Sequence, residues 1–183
     1  MIYHNIFEET DAEFMWLSGI TICDGMAADF AECKEHIVPA HPFSDDIISV
    51  SRKLAERFCC DTEHIHQVEI AALKLFDALR KANHLTKKDR LLLQIAAILH
   101  NCGSFLNLND IGENSYKIVT STEIIGLSHL EREIIANVVR YNIRDFDYDM
   151  MQLETEAGQD LAGVSDRTAI TILIAKLTAI LRL

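Results

Sequence analysis

The distribution of proline constrains this fold more than any other feature of the sequence. The 183 residues include two prolines, Pro39 and Pro42, and seven glycines. Proline interrupts a helix because it lacks an amide donor and its ring clashes with the preceding turn. Neither proline lies beyond residue 42, and apolar residues recur at helical spacing through the part that follows. The sequence therefore predicts a mainly α protein.

Composition limits the number of cores and the kinds of partner. A chain of this length is expected to form one well-packed core with an additional segment at one end. Its 17 Lys and Arg residues and 28 Asp and Glu residues give a formal net charge of −11. This charge repels nucleic acid and anionic membranes, so we expect neither as a partner, and a polyanionic ligand would need a local basic patch. Five cysteines without CxxC spacing predict reduced thiols in the cytoplasm.

The first 42 residues differ from the remainder. Residues 16–23 are rich in β-branched side chains and predict a strand, Asp24-Gly25 predicts a turn, and residues 26–32 predict a helix. A lone strand leaves its backbone edges unpaired, so this one needs a partner elsewhere in the chain or on another piece of protein. We therefore expect two parts, residues 1–42 and residues 43–183.

Capping patterns predict where the later helices begin. Asp61 or Thr62 can open one helix. The segment Thr86-Lys87-Lys88-Asp89 resembles a capping box with Asp in place of Glu, and Ser128-His129-Leu130-Glu131 is a complete one. The pattern also predicts a short helix at 115–122, an irregular stretch at 142–163 and a final helix, capped by Ser165, at 169–183.

The dipeptide His100-Asn101 is the strongest functional signal. In helical phosphohydrolases a His followed by an Asp at the end of such an apolar helix holds a divalent cation. Asn101 keeps the shape of that aspartate and loses its charge. His64 lies 36 positions earlier, which is typical of one helical hairpin, so His64 and His100 are the candidate metal ligands. The alternative, favoured on the sequence alone, is that each imidazole caps or packs against a helix. The pair Cys59-Cys60 is expected to pack at a helix end rather than to form a redox site.

A second candidate site is cationic. Four basic side chains could together bind an anion, with Tyr116 and Tyr141 beside them. They are Lys117, Arg132, Arg140 and Arg144. The favoured alternative is that these cations form salt bridges with carboxylates close in sequence, namely Glu123, Glu131, Glu133 and Asp145. Neither a glycine-rich nucleotide loop nor a nucleophile elbow occurs in the sequence, so we predict no catalytic residue.

Several segments together resemble the C-terminal helical part of the exopolyphosphatase and guanosine pentaphosphate phosphatase family. They are HIHQV at 64–68, LFDAL at 75–79, AAILHNCG at 96–103, NSY at 114–116, LS at 127–128, EREIIA at 131–136 and VRY at 139–141. Residues 18–26 also resemble the last strand and turn of the actin-like phosphatase domain that precedes the helical part in that family.

The resemblance implies an HD-domain-like helical bundle at 43–183, preceded by a short strand-turn-helix remnant of an actin-like domain, or a linker, at 1–42. It also implies that the catalytic glutamate and the phosphate loops lie upstream of this sequence. Three departures from the family pattern imply a degenerate metal site that holds no ion and needs no cofactor. They are Asn101 in place of Asp, Ile111-Gly112-Glu113-Asn114 in place of a His-rich segment, and an Asp expected just beyond Leu183.

The resemblance leads us to expect a non-catalytic module that assists binding of polyphosphate or a guanosine polyphosphate and forms a homodimer. A stand-alone phosphohydrolase acting on a nucleotide or phosphomonoester is the alternative, and it would need Mg or Mn at His64 and His100. A third interpretation is a purely structural interaction domain.

Overall fold

The computed structural model divides the chain into two compact units, Met1–His41 and Pro42–Leu183. The structure describes Phe14 and residues 19–33, 43–143 and 164–182. Every described element of secondary structure is helical, which confirms the mainly α prediction. No helix within these ranges is both long and apolar enough to cross a membrane.

The first unit includes one described helix, α1, from Ile22 to Cys33. Its start is fixed by Thr21 and Asp24. The Asp24 carboxylate accepts hydrogen bonds from the Thr21 amide at 2.8 Å and the Thr21 hydroxyl at 2.7 Å, while the Asp24 amide donates to that hydroxyl oxygen at 3.3 Å. This reciprocal pattern is a capping box, with Asp in the position that usually holds Glu. The predicted helix at 26–32 is therefore confirmed, with an earlier start.

The capping box overturns two of our predictions for this region. Ile22 and Cys23 are helical rather than extended, and Asp24-Gly25 lies inside α1 rather than in a turn. A glycine inside a helix costs only about 1 kcal/mol, which the cap can offset. Residues 16–18 of the predicted strand lie outside the described residues.

In the described part of the second unit the helices surround α4. The elements are α2 (Phe43–Arg57), α3 (Thr62–Leu79), α4 (Lys87–Leu99), a 3-10 helix (Cys102–Phe105), α5 (Ile111–Ser121), α6 (His129–Tyr141) and α7 (Val164–Leu181). Helix α4 packs against α2, α3, α6 and α7. Its last five residues, 95–99, are completely buried. The helix therefore delivers the residues that follow it to the edge of the core.

Three predicted helix starts are confirmed by their caps. The Asp61 carboxylate accepts from the amides of Glu63 and His64 at 3.0 and 3.1 Å. Complete capping boxes open α4 at Thr86 and α6 at Ser128. These local patterns are sufficient because they satisfy amides that the helix itself leaves without acceptors.

Two starts differ from the prediction. Helix α5 begins at Ile111 rather than at residue 115, and α7 begins at Val164, so Ser165 lies inside that helix. The first turn of α5 has little apolar periodicity, and packing determines its conformation instead. A Cβ on the buried Gly112 would lie 2.6 Å from the carbonyl oxygen of Arg140, so α5 and α6 cross there at close range.

A buried carboxylate links α2, α3 and α4. Glu69 is 5% exposed, and both its oxygens accept from Nη2 of Arg52, at 2.8 and 2.9 Å. The Gln94 amide donates to the same carboxylate at 2.7 Å. A buried charge is costly unless it is paired and hydrogen-bonded, so these donors hold the three helices in one arrangement.

The turn after α4 approaches α5 so closely that residue 103 has no room for a side chain. A Cβ on Gly103 would overlap the carbonyl oxygen of Ile111 and lie 2.5 Å from the amide nitrogen of Ser115. The Gly103 amide donates to the Ser115 hydroxyl at 2.7 Å, and that hydroxyl donates to the carbonyl oxygen of His100 at 3.4 Å. This contact fixes the position of the His100 turn.

We expect Gly103→Ala to lower the free energy of unfolding by about 2 to 4 kcal/mol, because the new methyl group meets backbone atoms that cannot move aside. Urea denaturation followed by circular dichroism measures the change. Gly25→Ala is the matched control, since its Cβ would meet nothing within 4 Å. An unchanged unfolding midpoint for Gly103→Ala would contradict the close approach.

Candidate functional site

The structure brings His64 and His100 together. His64 lies in the first turn of α3, where the Asp61 cap holds its amide, and His100 follows the last residue of α4. Their Nε2 atoms are 3.3 Å apart, and the rings lie 5.3 Å apart between centroids with their planes at 54°. His100 is buried, whereas His64 is exposed. The pair therefore has one fixed member and one that faces solvent.

The environment of His100 sets its protonation. Its Nδ1 lies 2.7 Å from the carbonyl oxygen of Ala97, and a carbonyl can only accept, so Nδ1 carries a hydrogen. Burial lowers the pKa of His100, and the nearby His64 lowers it further, against the opposing effect of the Ala97 carbonyl. His100 is therefore neutral near pH 7, with the lone pair of Nε2 directed at His64. In their hydrogen bond the Nε2–H of His64 donates.

The two imidazoles alone are a limited donor set for a metal. Two nitrogens at this separation suit a tetrahedral ion with bonds of about 2.0 to 2.1 Å. Among the residues described here, however, no group of three or more His, Cys, Asp or Glu side chains converges on one point. Mg and Mn favour oxygen ligands, so this nitrogen pair does not fit the ions that the hydrolase alternative requires.

Asn101 uses its backbone to shape the turn. Its carbonyl oxygen accepts from the amide of Ser104 at 3.1 Å and from the Ser104 hydroxyl at 2.8 Å. The side chain of Asn101 is half-buried and, unlike an aspartate, carries no charge. The turn is therefore held by its backbone and does not depend on a carboxylate at residue 101.

An apolar groove of about 400 Å³ adjoins His64. Side chains of α3 and α7 line the groove, and His64 and Gln67 are its polar lining residues. The apolar lining residues are Val68, Ala71, Ala72, Leu75, Ile180 and Leu181. Since neither Lys nor Arg is among the lining residues, the groove offers no fixed cation to a phosphate.

Arg140, one of the predicted anion ligands, is engaged within the protein. Its Nε donates to the Glu113 carboxylate at 2.8 Å, and its guanidinium carbon lies 4.8 Å from the ring centroid of Tyr116 and 5.8 Å from that of Tyr141. This carboxylate is 27 positions away and is not among those proposed from the sequence as partners. The residues nearest in sequence therefore do not decide the pairing of Arg140.

The other predicted cations do not meet at one point. Arg132 donates to the carbonyl oxygen of Thr122 at 3.4 Å and contacts His129 at 3.0 Å, while Glu131 pairs with Lys88 at 2.7 Å. Eight residues separate Arg132 from Arg140, or about 12 Å along α6. Lys117 is exposed on α5, and Arg144 lies outside the described residues.

A thiol pair lies next to the histidines, and sequence reasoning missed it. The sulfur atoms of Cys60 and Cys102 are 3.4 Å apart, and both residues are buried. The hydrogen bond between the two thiols lowers the pKa of Cys60, whereas the same bond and burial raise the pKa of Cys102. Cys60 packs at a helix end as predicted, but Cys59 is exposed. The two sulfurs are 42 positions apart, and no local pattern connects them.

A family model and two curated relatives all relate this chain to the Ppx/GppA phosphatases. A family model described as Ppx/GppA phosphatase, domain III, matches residues 48–183. A guanosine-5'-triphosphate,3'-diphosphate pyrophosphatase from Aeromonas hydrophila is 25% identical over 168 residues, which is 91% of this chain and 31% of that protein. The protein of the same name from Aeromonas salmonicida is 24% identical over the same lengths. The chain thus spans about a third of these curated relatives.

The lowered pKa of His100 predicts a pH dependence of stability. The folded protein binds fewer protons than the unfolded chain, whose His pKa is near 6.5. The stabilisation is therefore complete above that value and is lost as the pH falls through the folded pKa. We expect urea unfolding between about pH 7.5 and 5 to show a steeper loss of stability in the wild type than in His100→Gln. The exposed His66 provides the control, since His66→Gln should keep the wild-type slope. If the stability of all three proteins depended equally on pH, the lowered pKa of His100 would be refuted.

Proposed function

Since this chain belongs to the Ppx/GppA phosphatase family, we propose that it acts as the C-terminal helical module of an exopolyphosphatase or guanosine pentaphosphate phosphohydrolase. In this role it assists binding of polyphosphate or pppGpp and forms a homodimer in the cytoplasm. The family match over residues 48–183 carries the proposal, because it includes residues 48–57 of α2 and every later helix that the structure describes. The names of the Aeromonas relatives support the choice of ligand.

We further propose that residues 1–42 connect this module to an adjoining catalytic domain. The match to the Aeromonas relatives covers 91% of the chain and therefore extends into this segment. Within it, α1 presents Ile22, Met26 and Phe30 at intervals of four residues, and these side chains are 85%, 68% and 66% exposed. Side chains at that spacing share one helix face, and an exposed apolar face of this kind suits a contact with other protein.

Catalysis is assigned to a part of the protein outside these 183 residues. Water activation at a helical phosphohydrolase site relies on a metal held by histidines and carboxylates. Here a neutral Asn101 follows His100, and the Glu69 carboxylate is already engaged by Arg52 and Gln94. We therefore expect no phosphate release when the purified chain is incubated with polyphosphate or pppGpp.

The stand-alone hydrolase remains the second candidate function, favoured by one observation. The 3.3 Å separation of the two Nε2 atoms would allow both to bind one ion. Stoichiometric metal in tag-free protein, together with phosphate release that His100→Ala abolishes, would establish this function and reject the non-catalytic module.

An extended polyphosphate suits the positions of the basic side chains on α5 and α6. A net charge of −11 disfavours polyanions overall, so binding must depend on local groups. Lys117 and Arg132 lie on α5 and α6, which pack against each other, and Arg140 lies about 12 Å from Arg132. A single phosphate cannot span that distance, whereas an extended polyphosphate can contact each cation in turn.

We expect Lys117→Ala and Arg132→Ala each to raise the Kd for polyphosphate roughly tenfold, because each removes one charge-assisted contact. Titration calorimetry at low and at physiological salt measures the effect, which should shrink as salt screens the contact. Lys74→Ala is the matched control, since Lys74 is exposed on α3 outside the proposed surface. Equal losses in all three variants, or no binding by the wild type, would reject this surface.

We expect light scattering to give twice the mass of one chain, with the exposed face of α1 in the contact. The double variant Ile22→Ser, Phe30→Ser should then be monomeric, because it removes two large apolar groups from that face. Leu108→Ser changes an equally exposed apolar residue in the other unit and should remain dimeric. A monomeric wild type across a wide concentration range would refute dimerisation.

A further inference from the structure

The turn after α2 contacts the turn after α4 through two side-chain pairs. The sulfur atoms of Cys60 and Cys102 are 3.4 Å apart. Beside them, the rings of Phe58 and Phe105 meet edge to face, with centroids 5.7 Å apart. Because the two pairs join the same two turns, the close approach of the sulfurs belongs to a packed contact between these turns.

We propose that Cys60 and Cys102 form a dithiol modification site that a hydroperoxide oxidises to an intramolecular disulfide. A disulfide bond is about 2.05 Å long, so the sulfurs need to approach by roughly 1.4 Å. Cys60 lies between α2 and α3, and Cys102 is the first residue of the 3-10 helix. Changes in side-chain and turn torsions can supply this movement without breaking a long helix.

Accessibility sets the order of the two steps. Cys60 is 8% exposed and Cys102 is fully buried, so a small peroxide reaches Cys60 first. The hydrogen bond with Cys102 lowers the pKa of Cys60, which increases the fraction of reactive thiolate. Cys102 is then in place as the resolving thiol.

The reaction balances with one molecule of peroxide. With hydrogen peroxide, the Cys60 sulfur attacks one oxygen, the O–O bond breaks, the other oxygen departs as water, and Cys60 becomes a sulfenic acid. The Cys102 sulfur then attacks the Cys60 sulfur, the S–O bond breaks, and a second water leaves as the disulfide forms. The two sulfurs lose two electrons in total, the peroxide gains them, and both thiol protons end in the waters.

The crosslink would constrain the turn that carries His100. It closes a loop between residues 60 and 102, and such a closure stabilises a protein mainly by restricting its unfolded chain. Oxidised protein should therefore melt at a higher temperature than reduced protein. This inference is independent of polyphosphate binding and of the adjoining catalytic domain.

The test treats the purified 183-residue chain with hydrogen peroxide and maps the crosslink by mass spectrometry of a non-reducing digest. We expect the intact mass to fall by two hydrogen atoms, the peptides of Cys60 and Cys102 to be joined, and the melting temperature to rise. In Cys59→Ser, the matched control, all three results should persist. If the Cys60 and Cys102 thiols instead remain alkylatable after treatment, or if Cys60 joins Cys59, the proposal fails.

A second variant separates the two steps. In Cys102→Ala the resolving thiol is missing, so dimedone should label a sulfenic acid at Cys60 that wild-type protein does not accumulate. A circular dichroism spectrum like that of the wild type shows that the variant has folded despite the buried position of residue 102. Equal dimedone labelling of wild type and variant would show that Cys102 does not resolve the intermediate.

Discussion

The absence of a side chain at residue 103 is the constraint on which the candidate site depends. The turn after α4 lies against the first turn of α5 at a distance that only glycine allows, and the Ser115 hydroxyl bonds to backbone groups on both sides of that turn. A larger residue would push the turn away from α5. The imidazole of His100 and the thiol of Cys102 would move with it, since both lie within three residues of Gly103. One steric contact therefore positions two chemically different pairs.

The opposing surface of the site depends on a buried charge. Glu69 holds α3 against α2 through Arg52 and against α4 through Gln94. Helix α3 carries His64, so this network controls how closely His64 can approach the end of α4. Removing one partner would leave a buried polar group without its bond, which costs more than the bond itself contributes. His100 is thus positioned by the steric contact at Gly103, and His64 is positioned by the buried charge of Glu69.

Sequence reasoning succeeded where a pattern is local and failed where partners are distant. The caps at Asp61, Thr86 and Ser128 could be found because each satisfies amides within its own first turn. The box at Thr21 has the same form, but β-branched neighbours and a following glycine made the segment look like a strand and a turn. Asp24, three residues after Thr21, was the sequence signal that could have revealed this capping box.

The pairing of side chains across the fold shows the same limit. The spacing of His64 and His100 matched a helical hairpin, and the structure brings these residues together. The sequence predicts that Arg140 pairs with a carboxylate nearby in sequence. Its observed partner, Glu113, lies on the preceding helix. Nothing local connects Cys60 with Cys102, because their contact depends on how two turns pack. The start of α5 at Ile111 matters for the other pair, because it places Glu113 on that helix.

The physical character of the histidine pair argues for a binding module rather than a metal-dependent hydrolase. Burial keeps His100 neutral, Asn101 is neutral, and a hydrogen bond between the two imidazoles already satisfies the Nε2 of His100. A divalent cation would have to break that bond, and the described residues offer it no group of three or more His, Cys, Asp or Glu ligands in return. In the function that we propose, polyphosphate would instead be bound by cations that lie apart on α5 and α6. Asn101 carries no charge, yet its backbone still holds the turn through Ser104, so the turn does not require a carboxylate at residue 101.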